Sequence, residues 1–219
     1  AQFGVAPFSI KDSQPAARDL ETGLLVNMNM MADAGFDSVF IGIETPDAGS
    51  LTECCKSHNK NRDLLQDVKK IHRSGLQVMG GFIVGFDSDE PDIFQRQFDF
   101  IQNAGVVTAM VGLLQAPPGT RLYERLKGEG RLLSAFSGDN VDGSTNIVPK
   151  MDLEQLKTGY RRIMCHIYRP KHYYRRVKTF LMEYRPPLIS IPIDRQRFLA
   201  IFRSVVRLGI VGRERFQFW

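Results

Sequence analysis

Two short apolar runs constrain this chain more than anything else in it. Ser38 to Thr45 reads SVFIGIET and stops on a carboxylate. Leu76 to Asp87 reads LQVMGGFIVGFD and is rich in glycine. The segment from Asn61 to Ser74 lies between them, with Leu64, Leu65, Val68 and Ile71 on one helical face. Near-continuous apolar strands are expected where a parallel sheet is covered on its faces. Strand, helix, strand with polar or glycine chemistry at the carboxyl ends is how an α/β barrel presents a ligand site.

The same alternation extends in both directions. Leu24 to Ala34 reads as a helix closed by Gly35, followed by a strand from Val39 to Glu44 and a short helix around Leu51 to Lys56. Ser88-Asp89-Glu90-Pro91 reads as a helix start, and Phe94, Phe98 and Ile101 form the apolar stripe of the helix it opens. Val106 to Leu114 is a third strand, and Leu122 to Lys127 a helix after the break at Pro117-Pro118-Gly119. The fold class is therefore α/β. Three strands are too few to close a barrel, which takes about eight in its full form.

Three segments follow from this pattern. Residues 1–23 lack any sustained period and read as a poorly ordered segment, or a junction left by cutting a longer protein. Residues 24–133 hold the strands and their helices. Residues 134–219 hold a polar loop and three helices: Asp152 to Tyr168, Lys171 to Tyr184, and Asp194 to Leu208, the last ended by Gly209. The charge changes sign along the chain. Residues 1–150 carry 14 Lys+Arg against 19 Asp+Glu, a net of −5, while residues 151–219 carry 15 against 5, a net of +10. Such a split marks two units with different surfaces.

Composition excludes some classes. Three cysteines cannot build a paired disulfide framework, so a reduced, cytoplasmic chain is the expectation. No run reaches the roughly 18 apolar residues of a membrane span. Cys54 and Cys55 are adjacent and do not form a C-x-x-C metal pair, Cys165 reads as a core thiol, and the four histidines show no ligand spacing.

Several residues carry candidate chemistry. Glu44, at a strand's carboxyl end, suits an ammonium or hydroxyl group of a ligand, and equally suits a cap for the following turn. Gly80, Gly81 and Gly85 suit the close approach of a flat ring, or tight helix-on-strand packing. Gln115 is able to read a base edge or a carboxylate, while its neighbours form a turn. The basic, aromatic stretch from Arg161 to Lys178 fits a solvated helix face, or docking against the acidic first part, better than it fits RNA or an anionic membrane.

Three blocks, GIETP at 42–46, GGFIVGFD at 80–87 and APPGTRLY at 116–123, resemble the second half of a radical S-adenosylmethionine (SAM) enzyme. The loop at 138–146 and the basic helices after it are similar to the C-terminal region of the cobalamin-binding subgroup that includes hopanoid methylases. The resemblance implies a partial (β/α)6 TIM-like barrel, of which this chain holds strands four to six, and then a helical region. It implies that Glu44 and Thr45 meet the ribose or methionine part of SAM. It places Gly81, Ile83 and Gly85 beside the adenine, and Gln115 and Ala116 near adenine or substrate. It implies a [4Fe-4S] cluster, and cobalamin, in the complete protein. The C-x-x-x-C-x-x-C motif of the cluster is not in this sequence; in the family it lies N-terminal to the matching region.

The function expected is thus a C-terminal part of a cobalamin-dependent methyltransferase-like enzyme, inactive alone. A non-catalytic binding module derived from the same barrel is the alternative. Expected partners are a small-molecule or lipid substrate and an N-terminal half, with peripheral membrane contact and self-association open and no nucleic acid.

Overall fold

The computed structural model describes residues 28–53, 62–139, 142–186, 195–213 and 215–219. Residues 1–23, and Cys54, Cys55 and His58, lie outside these. The order begins with helical residues 28–33 (α1), then β1 (Ser38–Glu44), α2 (Ala48–Glu53), α3 (Leu64–Arg73) and β2 (Gln77–Val84). It continues with α4 (Ile93–Ala104), β3 (Thr108–Leu113), α5 (Arg121–Gly128), α6 (Leu153–Ile167) and α7 (Pro170–Glu183). The chain ends with α8 (Arg195–Ser204), a π-helical stretch (Val205–Val211) and α9 (Arg215–Phe218).

The expected strand–helix alternation is present, and the three strands form one parallel sheet in the order β1-β2-β3. Among the described residues this sheet does not close into a barrel. Strand alternation gives it two unequal faces. Val78, Phe82, Val84, Val111 and Leu113 point to the covered face and are buried with residues of α3, α4 and α6. Phe40, Met79, Gly81, Ile83 and Met110 point to the other face, where Phe40 and Met110 are 44% and 42% exposed.

Several sequence expectations need correction. Asp89 does not cap α4, which begins at Ile93 with Asp92 before it. The Asp89 carboxylate turns inward and accepts hydrogen bonds from Gly85 N (2.8 Å) and Phe86 N (3.1 Å), closing the turn after β2. Gly209 does not end the last helix; it is buried within the π-helical stretch. A side chain there would meet Phe218 and Trp219, whose indole Nε1 donates to Gly209 O at 2.9 Å. Cys165 is exposed on α6 rather than in the core.

Among the described residues the basic side chains of α7 make no ion pair with the acidic first part. The ion pairs joining α7 to α3 run the other way, from Glu183 to Lys69 (3.1 Å) and Arg73 (2.6 Å). What seats α7 is Arg176, which is wholly buried. Its guanidinium donates to Ile167 O (2.7 Å), Gln102 Oε1 (3.0 Å) and Val107 O (3.0 Å), and lies near the rings of Tyr168 and Tyr173. Tyr168 in turn donates to Ala109 O of β3 at 2.7 Å.

Candidate functional site

The end of β1 has an unusual backbone. Pairing with β2 passes from Gly42 opposite Gly81 to Glu44 opposite Phe82, so Ile43 is an inserted residue. Thr45 N then donates to Ile43 O at 2.9 Å, across Glu44 with φ of 65°. This is a γ-turn of the positive-φ hand, the rare and strained form. Glu44 is the one non-glycine residue with positive φ among those described. Strain of this kind costs about 1–3 kcal/mol and persists only where its surroundings enforce it. Here the bulge keeps Ile43 in the core, at 3% exposure, while Glu44 reaches a cleft at the carboxyl ends of the strands. Gln97, buried on α4, holds both strand ends by donating to Ile83 O (2.7 Å) and Glu44 O (3.4 Å).

The cleft has a volume of about 610 Å³. Its apolar wall includes Ile83, Phe86, Leu114 and Leu122, and its charged side chains are Glu44, Glu53, Arg121 and Arg125. The carboxyl end of a parallel sheet is where open α/β folds bind ligands. Arg125 is fixed by Glu53 (3.1 Å) and Asp87 (2.8 Å). Asp87 is also gripped by Arg131, whose Nη2 lies 2.5 Å away, and this pair, with Arg125, holds the carboxyl at a pKa of about 2. Asp89 behaves oppositely: burial pushes its carboxyl up, against the hydrogen bonds from Ser50, Gly85 and Phe86.

The seven residues singled out in the sequence separate into groups. Glu44 and Ile83 line the cleft. Gly81 lies on the open sheet face, where a Cβ would sit 3.0 Å from Phe40 Cζ. Thr45 is buried, and its hydroxyl accepts from Asp47 N at 3.1 Å to shape the entry to α2. Gly85 serves the turn after β2, with φ of 107° and its N–H given to Asp89. Gln115 faces the 134–150 loop, donating to Asp139 O at 2.7 Å and Ser137 Oγ at 3.2 Å. Ala116 gives its N–H to Asn146 Oδ1 (2.8 Å), while its carbonyl accepts from Asn146 Nδ2 (2.9 Å).

Sequence reasoning missed Asn146, Gln97 and the Arg125–Asp87–Arg131 set. An asparagine in a polar loop and a glutamine in a helix carry no local signal of burial. Arg131 and Asp87 are brought together only by the fold.

Cofactor fit divides the same way. An apolar wall beside an aimed carboxylate suits a nucleoside with an ammonium or hydroxyl group. An iron–sulfur cluster does not suit this chain, because Cys54 and Cys55 are adjacent and Cys165 stands alone on α6. Thiolate sets of four hold such clusters. Among the described residues no group of three or more His, Cys, Asp or Glu is placed to hold a metal, and no helix is long and apolar enough to cross a membrane.

Residues 120–219 match a domain of unknown function, DUF4070. The chain is 33% identical over 197 residues to an uncharacterized methyltransferase of Synechocystis sp., a match covering 88% of this chain and 37% of the relative. It is 30% identical over 200 residues to the hopanoid C-2 methylase of Rhodopseudomonas palustris, again 88% of this chain and 37% of the relative. A bacteriochlorophyllide d C-12(1)-methyltransferase of Chlorobaculum tepidum matches half of this chain at 29% identity and 23% of its own length. The chain thus spans little more than a third of the first two relatives. These matches bear out the resemblance to the radical SAM, cobalamin-binding subgroup similar to hopanoid methylases.

Proposed function

We propose that this chain, similar to the cobalamin-binding radical SAM methylases, supplies the SAM-facing and part of the substrate-facing wall of a methyltransferase. In this reading β1 to β3 are strands four to six of a partial (β/α)6 barrel in the cytoplasm. Cobalamin and the cluster ligands come from parts of the protein outside this sequence.

The observation that carries the reading is Glu44. A strained γ-turn sets its carboxylate into a cleft walled by Ile83, Phe86 and Leu114. The carboxylate is suited to accept hydrogen bonds from the ribose hydroxyls or the ammonium of SAM. The apolar side chains beside it are suited to cover the adenine and exclude water. SAM supplies the methyl group or radical precursor when bound; this chain's residues bind and orient it. Gln115, Ala116 and Asn146 contribute indirectly, by fixing the 134–150 loop against the end of β3.

Calorimetric titration of SAM into the chain and into Glu44→Ala tests this. A hydrogen bond to a charged group is worth about 1.5–3 kcal/mol, so the variant is expected to bind at least roughly tenfold more weakly. Equal affinity of the two proteins, or no binding by either, sinks the claim that this cleft is a preformed part of the SAM site.

A further inference from the structure

The C-terminal unit presents an apolar surface that the rest of the described structure does not cover. All ten residues of α8 are exposed. Phe198, Ile201 and Phe202, at i, i+3 and i+4, share one face of it, and Phe198 and Phe202 are 62% and 58% exposed. Arg197, Arg203 and Ser204 fall outside that stripe. Leu208, Ile210 and Val211 of the π-helical stretch, then Phe216 and Trp219, continue the exposed apolar series. Trp219 is 79% exposed, yet its one polar atom is satisfied by Gly209 O, so its ring is displayed as an apolar plate.

Charge decides what such a surface meets. Residues 195–213 contain five arginines and no Asp or Glu. Large aromatic and aliphatic side chains along one face, with Arg195 at its first turn and Arg197 and Arg203 on the other faces, are the makeup of a helix that lies in a membrane interface. Ten helical residues span about 15 Å, too short to cross a bilayer. An exposed apolar patch of this kind marks an interaction site. An acidic protein would satisfy the arginines but leaves the aromatic series without a stated counterpart. An anionic bilayer satisfies both.

We propose that α8, the π-helical stretch and α9 dock the protein on an anionic phospholipid surface, with Phe198, Phe202, Phe216 and Trp219 entering the headgroup–acyl boundary. This stands independently of the SAM reading. The chain's single tryptophan is Trp219, so its fluorescence reports the docking directly.

The test is flotation of the 219-residue chain with vesicles of phosphatidylcholine alone and of phosphatidylcholine with phosphatidylglycerol, at low and high salt. Binding to the anionic vesicles, weakened by salt and accompanied by a blue shift of Trp219 emission, is expected. Arg203→Gln with Arg207→Gln lowers it about fivefold per arginine. Phe198→Ser with Phe202→Ser lowers it roughly tenfold or more. Because α8 is exposed throughout and Arg207 of the π-helical stretch is exposed too, neither pair should change the melting temperature, which serves as the folding control. Absence of flotation and of a blue shift overturns the proposal, as does equal retention on neutral and anionic vesicles. Equal retention on polyglutamate beads, or a dimer that the Phe198 and Phe202 changes dissociate while vesicle binding is unaltered, also overturns it.

Discussion

Replacing Asp87 with Asn removes the charge that holds the two arginines beside the cleft. Asp87 is nearly buried, with 8% of its side chain exposed, and its carboxyl titrates at about 2 instead of 3.8. Arg131 is the main cause, followed by Arg125, against an opposing contribution from burial. The difference of nearly two pH units, at about 1.36 kcal/mol each, makes the ionised form worth about 2 kcal/mol to the fold. The unfolded chain binds this proton more readily than the folded one. The stabilisation is therefore complete above pH 3.8 and is lost as pH falls from 3.8 toward 2. Urea unfolding of the parent and Asp87→Asn at a series of pH values reads it directly. At pH 7 the variant should be about 2 kcal/mol less stable, a fall of roughly 4–8 °C in melting temperature for a chain of this size. Below pH 3.8 the gap should narrow, and near pH 2 the two proteins should converge. A gap as wide at pH 2 as at pH 7, or no gap at either, would refute the argument, since only an ionised Asp87 supplies the difference.

Two further substitutions probe how the helical tail is seated. Arg176→Met keeps the bulk but strands two buried acceptors, Gln102 Oε1 and Ile167 O, and a half-buried one, Val107 O, at roughly 1 kcal/mol or more each. A loss of about 3 kcal/mol in urea unfolding is expected, and a variant as stable as the parent would show that burying the guanidinium cancels its hydrogen bonds. Gly105→Ala should cost more than Gly35→Ala, although both positions have positive φ, at 70° and 92°. A Cβ at Gly105 would lie 2.9 Å from Phe180 N, whereas nothing lies within 4 Å of one at Gly35. The αL conformation alone costs about 1–2 kcal/mol for a residue with a Cβ. Equal losses in thermal melts would mean that α7 does not press on Gly105.

The strands were legible because their apolar runs are continuous and end in residues that forbid continuation. Helices α3 and α4 were legible from apolar spacing. Boundaries shifted where a side chain found a better use than the local pattern implied. Asp47 accepts from Ser50 N at 2.9 Å and starts α2 three residues early, and Asp89 turned from a helix cap into the buried clamp of Gly85 and Phe86. Glu44 was visible as a carboxylate closing a strand. The bulge and γ-turn that aim it were not, because they depend on register with β2. Arg176 was hidden for the opposite reason: in a run of basic residues nothing local distinguishes the one that is buried.

The loop after α5 shows how the two parts of the chain are joined at the cleft. Its length and polarity alone suggest mobility. Yet Asn146 bonds both backbone groups of Ala116, Thr145 Oγ1 donates to Leu114 O at 2.6 Å, and Leu132 pairs with Ile147. The side-chain contacts tie the loop to the residues that follow β3, and the Leu132–Ile147 bridge closes the loop on itself. Leu114, so held, is also a wall of the cleft that Glu44 enters. That wall is therefore held from two sides, by Val84 O, which accepts from Leu114 N at 2.8 Å, and by Thr145 of the region matched by the domain family, while Glu44 falls in the sheet that precedes that region. The cleft is thus lined by both parts, with Glu44, Ile83 and Leu114 from the part that holds the sheet and Arg121, Leu122 and Arg125 from the region that follows.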